Sequence, residues 1–167
     1  MLKFNKIKLN EIKEFADLTS EIWHEYWTCI LSKEQIDYMV EKFQSEKAIT
    51  NQINNENYAY FYIMIDSQKA GYIALSSKED YLFLSKLYIK KEYRYKGIGG
   101  KAFDFIKQYA IENGYNKIQL TVNKYNKNTI DAYNKWGFKT VDSVVTDIGN
   151  GFVMDDYIMK YEIGEKL

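Results

Sequence analysis

Proline is absent from this chain of 167 residues, and cysteine, histidine and arginine occur once each, as Cys29, His24 and Arg94. A lone cysteine excludes an intramolecular disulfide and fits a reducing compartment, so a cytoplasmic protein is expected. One histidine with one cysteine leaves no ligand spacing for zinc, and no metal is expected. The same scarcity would force any Ser/His/Asp or Cys/His triad onto His24, inside a Trp-rich helical pattern, which disfavours it. An excess of one charge is missing too. With 23 basic and 23 acidic residues and a pI near 6.6, no global field recruits nucleic acid. No apolar run approaches membrane-spanning length, and the first ten residues lack the apolar stretch of a signal peptide. Linker composition, repeats and low-complexity tracts are also absent, so a single domain over residues 1–167 is expected.

What remains is ample material for a core, with 46% hydrophobic and 17% aromatic residues. Residues Phe4 to Lys8 alternate and predict a first strand. Asn10 can cap a helix whose stripe runs through Ile12, Phe15, Ala16, Thr19, Ile22, Trp23, Tyr26 and Trp27. Ser32 and Gln35 form a capping-box pair for a second helix, with Leu31 and Ile36 as its staple. Ser45 caps a third, reaching Ile53. The period then changes. Tyr58–Ile65, Ala70–Ser76 and Tyr81–Ile89 are aromatic and β-branched, separated by polar turns, and predict an antiparallel meander. A helix from about Ile98 to Asn113 ends at Gly114, in a left-handed position. A strand over Lys117–Val122, a helix over Asn126–Lys135 and two strands after Gly137 complete the chain, with Asp147 to Gly151 joining the last two. This order predicts one mixed α+β domain with helices on both faces of a sheet.

The stretch from Arg94 to Gly100 is the most informative part. It joins an apolar strand to an amphipathic helix. Glycines 97, 99 and 100 let backbone amides approach a ligand closely. The helix start adds unpaired N–H donors and partial positive charge, and Lys96 and Lys101 add cations. The physics is that of a phosphate cradle. A Walker loop fails, because Ala102 stands where a metal-binding hydroxyl is required. A dinucleotide fingerprint is satisfied by Gly97-x-Gly99-x-x-Ala102, but the polar run Lys90–Lys96 separates it from its strand. A turn with no ligand is the plain structural alternative.

Arg94-x-x-Gly97-x-Gly99 after the strand Leu84–Ile89 resembles the coenzyme A pyrophosphate loop of the GNAT superfamily of N-acetyltransferases. Asn126, Tyr133 and Gly137-Phe138 resemble that superfamily's second block, and Thr129 departs from its usual Ala. The resemblance implies a GNAT-like fold, acetyl-CoA as cosubstrate and transfer to a primary amine of a small molecule. It implies that Arg94, Tyr95, Lys96, Gly97, Ile98, Gly99, Gly100 and Asn126 hold the coenzyme. The backbone of Leu87, Tyr88 and Ile89 would pair with its pantetheine arm. Tyr133, protonated at neutral pH, would serve the leaving thiolate as acid. A non-catalytic acyl-CoA-binding module of the same fold is the alternative.

An alkyl amine is almost all ammonium at pH 7 and needs a base. Glu21, His24 and Glu25 on the first helix, and Asp155 or Asp156 on the last strand, are candidates. Asp155 stands out as the one charge on the apolar face Val153, Tyr157, Met159, Tyr161 and Ile163. The first two helices are where the family builds its acceptor pocket, and Trp23, Tyr26, Trp27 and Tyr38 would give it cation–π walls. The helical front and the Met154–Tyr157 segment are similar to small bacterial acetyltransferases grouped with polyamine acetylation. A homodimer through strand edges is a further implication of the family.

Overall fold

The computed structural model describes residues 1–164. β1 (Leu2–Lys6) is followed by three helices, α1 (Ile12–Tyr26), α2 (Lys33–Gln44) and α3 (Glu46–Asn55). β2 (Tyr58–Ile65), β3 (Gln68–Ser77) and β4 (Leu82–Ile89) form the expected antiparallel meander, and β1 adds to its outer edge. Then come α4 (Ile98–Glu112), β5 (Lys117–Asn123), α5 (Lys127–Trp136), β6 (Lys139–Gly149) and β7 (Phe152–Glu162). The seven strands make one sheet of order β1-β2-β3-β4-β5-β7-β6.

Alternation along the strands divides the interior in two. Ala59, Phe61 and Ile63 of β2 face α4 and α5, and pack with Phe103, Ile106 and Phe138. Tyr60 and Tyr62 face α1–α3, and pack with Phe15, Ile22 and Ile49. Each fully buried aliphatic or aromatic side chain of this kind contributes about 1.5–3 kcal/mol. The fold is therefore the mixed α+β arrangement expected, with helices on both faces.

Side-chain capping sets the starts of α2 and α3. Ser32 Oγ accepts from the Gln35 amide at 3.2 Å, and Ser45 Oγ from the Ala48 amide at 3.2 Å. The Gln35 side chain does not return to Ser32, because its Nε2 reaches the Val153 carbonyl at 3.1 Å. Asn10 does not cap α1. It lies inside a short 3-10 turn, Leu9–Glu11, and the first strand sits two residues earlier than its alternation suggested. Gly114 is left-handed at φ +80°, as required of a helix stop. Asn150 and Gly151 (φ +54° and +78°) make the tight turn between β6 and β7, and β6 extends through Gly149.

Two irregularities of β4 position the site. It runs parallel to β5, but the two strands pair only at Leu82–Ile118 and Phe83–Gln119, leaving the edge from Leu84 to Ile89 open toward β5. A bulge at Ser85 interrupts its pairing with β3, where Leu75 opposes Leu84 and Ala74 opposes Lys86. The extra residue reverses the alternation. Leu82, Leu84, Leu87 and Ile89 consequently share the α4–α5 face, while Tyr88 turns to α1–α3.

Candidate active site

Gly97 caps α4 in the left-handed region at φ +77°, a conformation that favours glycine. A Cβ at Gly97 or Gly100 would meet no protein atom, while one at Gly99 would approach the Trp136 ring at 3.3 Å. The cradle is thus open outward and backed by Trp136. At its mouth Arg94 folds inward rather than out. Its Nε donates to the Ile89 carbonyl at 2.8 Å, and its guanidinium lies 5.2 Å from the Tyr26 ring centroid and 3.7 Å from Glu25. One terminal nitrogen, Nη2, is buried without a hydrogen bond, and it is this nitrogen that faces Glu25 across 3.7 Å. Arg94 therefore ties the loop to the end of β4 and to α1, and its Nη2 has hydrogen-bonding capacity unused by the protein.

The groove running from this loop has a volume of about 670 Å³. Of the residues the resemblance assigns to the coenzyme, Leu87, Tyr88, Ile89, Arg94, Tyr95, Gly97, Ile98, Gly99 and Asn126 line it, whereas Lys96 and Gly100 do not. These residues fit coenzyme A: amides at a helix start for phosphates, a guanidinium nitrogen without a hydrogen bond, and an open strand edge for an extended arm.

A second cavity of about 310 Å³ lies between the sheet and α1–α2. Its walls include Trp23, Tyr26, Trp27, Phe43, Tyr58 and Phe83. Tyr38 does not line it. That hydroxyl donates to the Ile148 carbonyl at 2.6 Å instead. Tyr26, Leu87, Tyr88, Asn126, Thr129 and Tyr133 border both cavities and mark where they meet.

At that junction Tyr133 is 7% exposed, and burial, with a smaller effect of Tyr26, raises its hydroxyl above the ordinary tyrosine range. It remains protonated at any physiological pH. The Tyr26 hydroxyl shares a hydrogen bond with Thr129 Oγ1 at 2.7 Å and accepts from Asn126 Nδ2 at 2.6 Å, bridging α1 to α5. Asn126 stands at the N-cap of α5 without a side-chain capping bond, because its side chain turns to Tyr26. Thr129 is more than a small substitution. Its hydroxyl completes a bridge that an alanine lacks.

The carboxylates sort sharply. Glu21 pairs with Lys90 at 3.5 Å, and Glu25 accepts from the Lys91 amide at 3.0 Å. His24 contacts Asp37 at 2.6 Å, which raises its pKa, and joins α1 to α2. None of these three lines either cavity. Asp155 pairs with Lys124 at 2.9 Å and is also outside both. The apolar face assigned to it is real farther along β7, where Tyr157, Met159 and Tyr161 pack against the α4–α5 core. At its start, however, Val153 is 51% exposed, so Asp155 sits at the margin.

Asp156 is the buried carboxylate, 8% exposed on the opposite face, where it lines the inner cavity with Met154. Its Oδ1 has no hydrogen-bond partner, and burial followed by repulsion from Asp155 lifts it to about 6. Lys86 lines the same cavity and was not among the sequence candidates. Desolvation lowers its ammonium to about 8, against a raising effect of Asp156. A lysine within the run Leu82–Ile89 was the available signal, but simple alternation places it beside Leu84, on the wrong face.

Comparison with known proteins gives this geometry a family. The family model for the acetyltransferase (GNAT) domain matches residues 30–160. The spermidine N(1)-acetyltransferase of Thermoplasma acidophilum is 26% identical over 165 residues, covering 96% of this chain and 98% of that protein. An uncharacterized N-acetyltransferase of Lactobacillus delbrueckii subsp. lactis is 20% identical, covering 95% and 96% respectively. In fold, the chain resembles the crystal structure of PaiA N-acetyltransferase from Thermoplasma acidophilum in complex with coenzyme A. That likeness has a TM-score of 0.80 at 23% identity, covering 97% of this chain and 99% of that one. The family match spans most of the chain and includes both the glycine cradle and the opened edge of β4, so this protein belongs to the GNAT acetyltransferases and is an acyltransferase enzyme.

Proposed function

We propose that the enzyme transfers an acetyl group from acetyl-CoA to a primary amine of a small molecule, by direct attack in a ternary complex. One observation carries the reading: Tyr133 borders both the coenzyme groove and the aromatic cavity where they meet. An acceptor in the inner cavity and a thioester in the groove would then be neighbours, with no need for an acylated protein side chain. The Thermoplasma relative's name makes spermidine one acceptor to test.

Bound acetyl-CoA supplies an activated acetyl group. The Ile98 and Gly99 amides and Arg94 Nη2 hold its phosphates, and the open β4 edge aligns its arm. A backbone N–H of that edge faces the carbonyl oxygen as negative charge develops. Asp156 takes the proton that the ammonium must lose, and its raised pKa makes it a better base than an ordinary aspartate. As the C–N bond forms and the C–S bond breaks, Tyr133 donates a hydrogen bond to the departing sulfur. A hydroxyl held above the ordinary tyrosine pKa is a weaker acid than a thiol of pKa about 8.5. Tyr133 therefore stabilises the thiolate, and the final proton comes from Asp156 or solvent.

Thiol release from acetyl-CoA, corrected for hydrolysis, across polyamines, aminoglycosides, amino acids and peptide N-termini tests the proposal. Amine-dependent release is expected, with Tyr133→Phe reducing turnover by about 10²-fold at little cost in coenzyme affinity. Undiminished turnover in the variant would deny Tyr133 its role. Tight acetyl-CoA binding without release for any amine would favour a binding module.

A further inference from the structure

Among the described residues, Lys86 and Asp156 are the only formally charged side chains lining the inner cavity, one of each sign. Asp156 is more than nine-tenths buried, with Oδ1 unpartnered. The Lys86 ammonium donates to the Ser85 carbonyl at 3.2 Å and Ser85 Oγ at 2.9 Å, both on its neighbour, and to no carboxylate among the described residues. Other nearby carboxylates are committed elsewhere: Glu21 to Lys90, Glu25 to the Lys91 amide, Asp37 to His24 and Lys33, Asp155 to Lys124. The aromatic walls are neutral. The cavity thus offers one anchor for a cation and one for an anion, with no net charge. A polyamine would bring at least two ammonium groups to a single carboxylate, with a buried lysine beside it.

We infer that the acceptor is a small zwitterion, a primary amine that also carries a carboxylate, its ammonium taken by Asp156 and its carboxylate by Lys86. This narrows the acetyl-transfer reading and rests on it. The Ser85 bulge is the structural device behind the selectivity, because unbroken alternation through Ser85 would put Lys86 on the face of Leu84, in the α4–α5 core. The Ser85 hydroxyl, itself hydrogen-bonded to Tyr58 at 3.0 Å, holds the ammonium at the cavity wall.

The test compares kcat/KM for matched acceptors at saturating acetyl-CoA: β-alanine with propylamine, 5-aminopentanoate with pentylamine, lysine with cadaverine, and spermidine. A charge-assisted contact predicts that the best aminocarboxylate exceeds its matched amine by about 10- to 100-fold. Lys86→Met should collapse that ratio, and Lys86→Arg should restore part of it. Should Lys86→Met fail to fold, calorimetric titration of the CoA-loaded wild-type protein with each matched pair reads the same preference directly. Equal or better use of the plain amines, or a ratio that survives in Lys86→Met, overturns the inference. Turnover with spermidine alone does so while leaving acetyl transfer intact. Absence of turnover with every amine, despite acetyl-CoA binding, removes both.

Discussion

Burial holds the Asp156 carboxyl near 6, against 3.8 for an ordinary aspartate, and this residue's charge is maintained against the fold. Because the folded-state value is the higher one, its stabilising contribution is complete below about pH 3.8 and is lost as pH rises through about 6. At pH 8 the ionised form is a burden of about 1–3 kcal/mol. Asp156→Asn should therefore raise the melting temperature at pH 8 and lose that advantage at pH 4, while amine-dependent turnover falls sharply. A thermal melt at both pH values, beside a rate assay, reads the opposed effects. The wild-type kcat/KM should likewise decline as pH falls through about 6, where Asp156 takes up a proton. Lys86, Asp155 and Lys124 are the charges that set this midpoint. Neither Asp156 nor Lys86 could be singled out by alternation. On β7 the odd-numbered stripe carries the apolar residues, which drew attention to Asp155, yet the cavity opens on the even-numbered face.

At the scale of elements, legibility followed periodicity. The meander, the glycine turn and the α5 block were readable because apolar spacing and positive-φ glycines are local signals. The Ser85 bulge was not, since it arises from pairing with β3 and flips the strand without marking its own composition. The packing of Arg94 on Tyr26 and Glu25 and the Tyr26–Asn126–Thr129 bridge were hidden for the same reason: each is a contact between distant segments. Gly71 shows how tightly β4 is held. A Cβ there would fall 2.1 Å from the Tyr88 carbonyl oxygen. Gly71→Ala should therefore displace the end of β4, destabilise the protein by about 1–3 kcal/mol and weaken acetyl-CoA binding, measurable by denaturant titration and calorimetry. Gly99→Glu should abolish coenzyme binding with a smaller effect on folding, because its carboxylate would enter the cradle beside Trp136. Unchanged affinity would remove the loop from the phosphate site.

At the scale of the molecule, two cores flank one sheet, and the sheet is parted where β4 and β5 stop pairing. The larger groove and the inner cavity open from that parting and meet at Tyr133. On the proposed reading this arrangement brings the two substrates together at one point and makes direct transfer the natural chemistry. Initial rates measured over a grid of acetyl-CoA and acceptor concentrations test that claim most directly. Reciprocal plots should give lines that intersect, the pattern of a ternary complex. Parallel lines, with an acetylated enzyme isolable in the absence of amine, would show that the acetyl group rests on the protein first and would contradict the account.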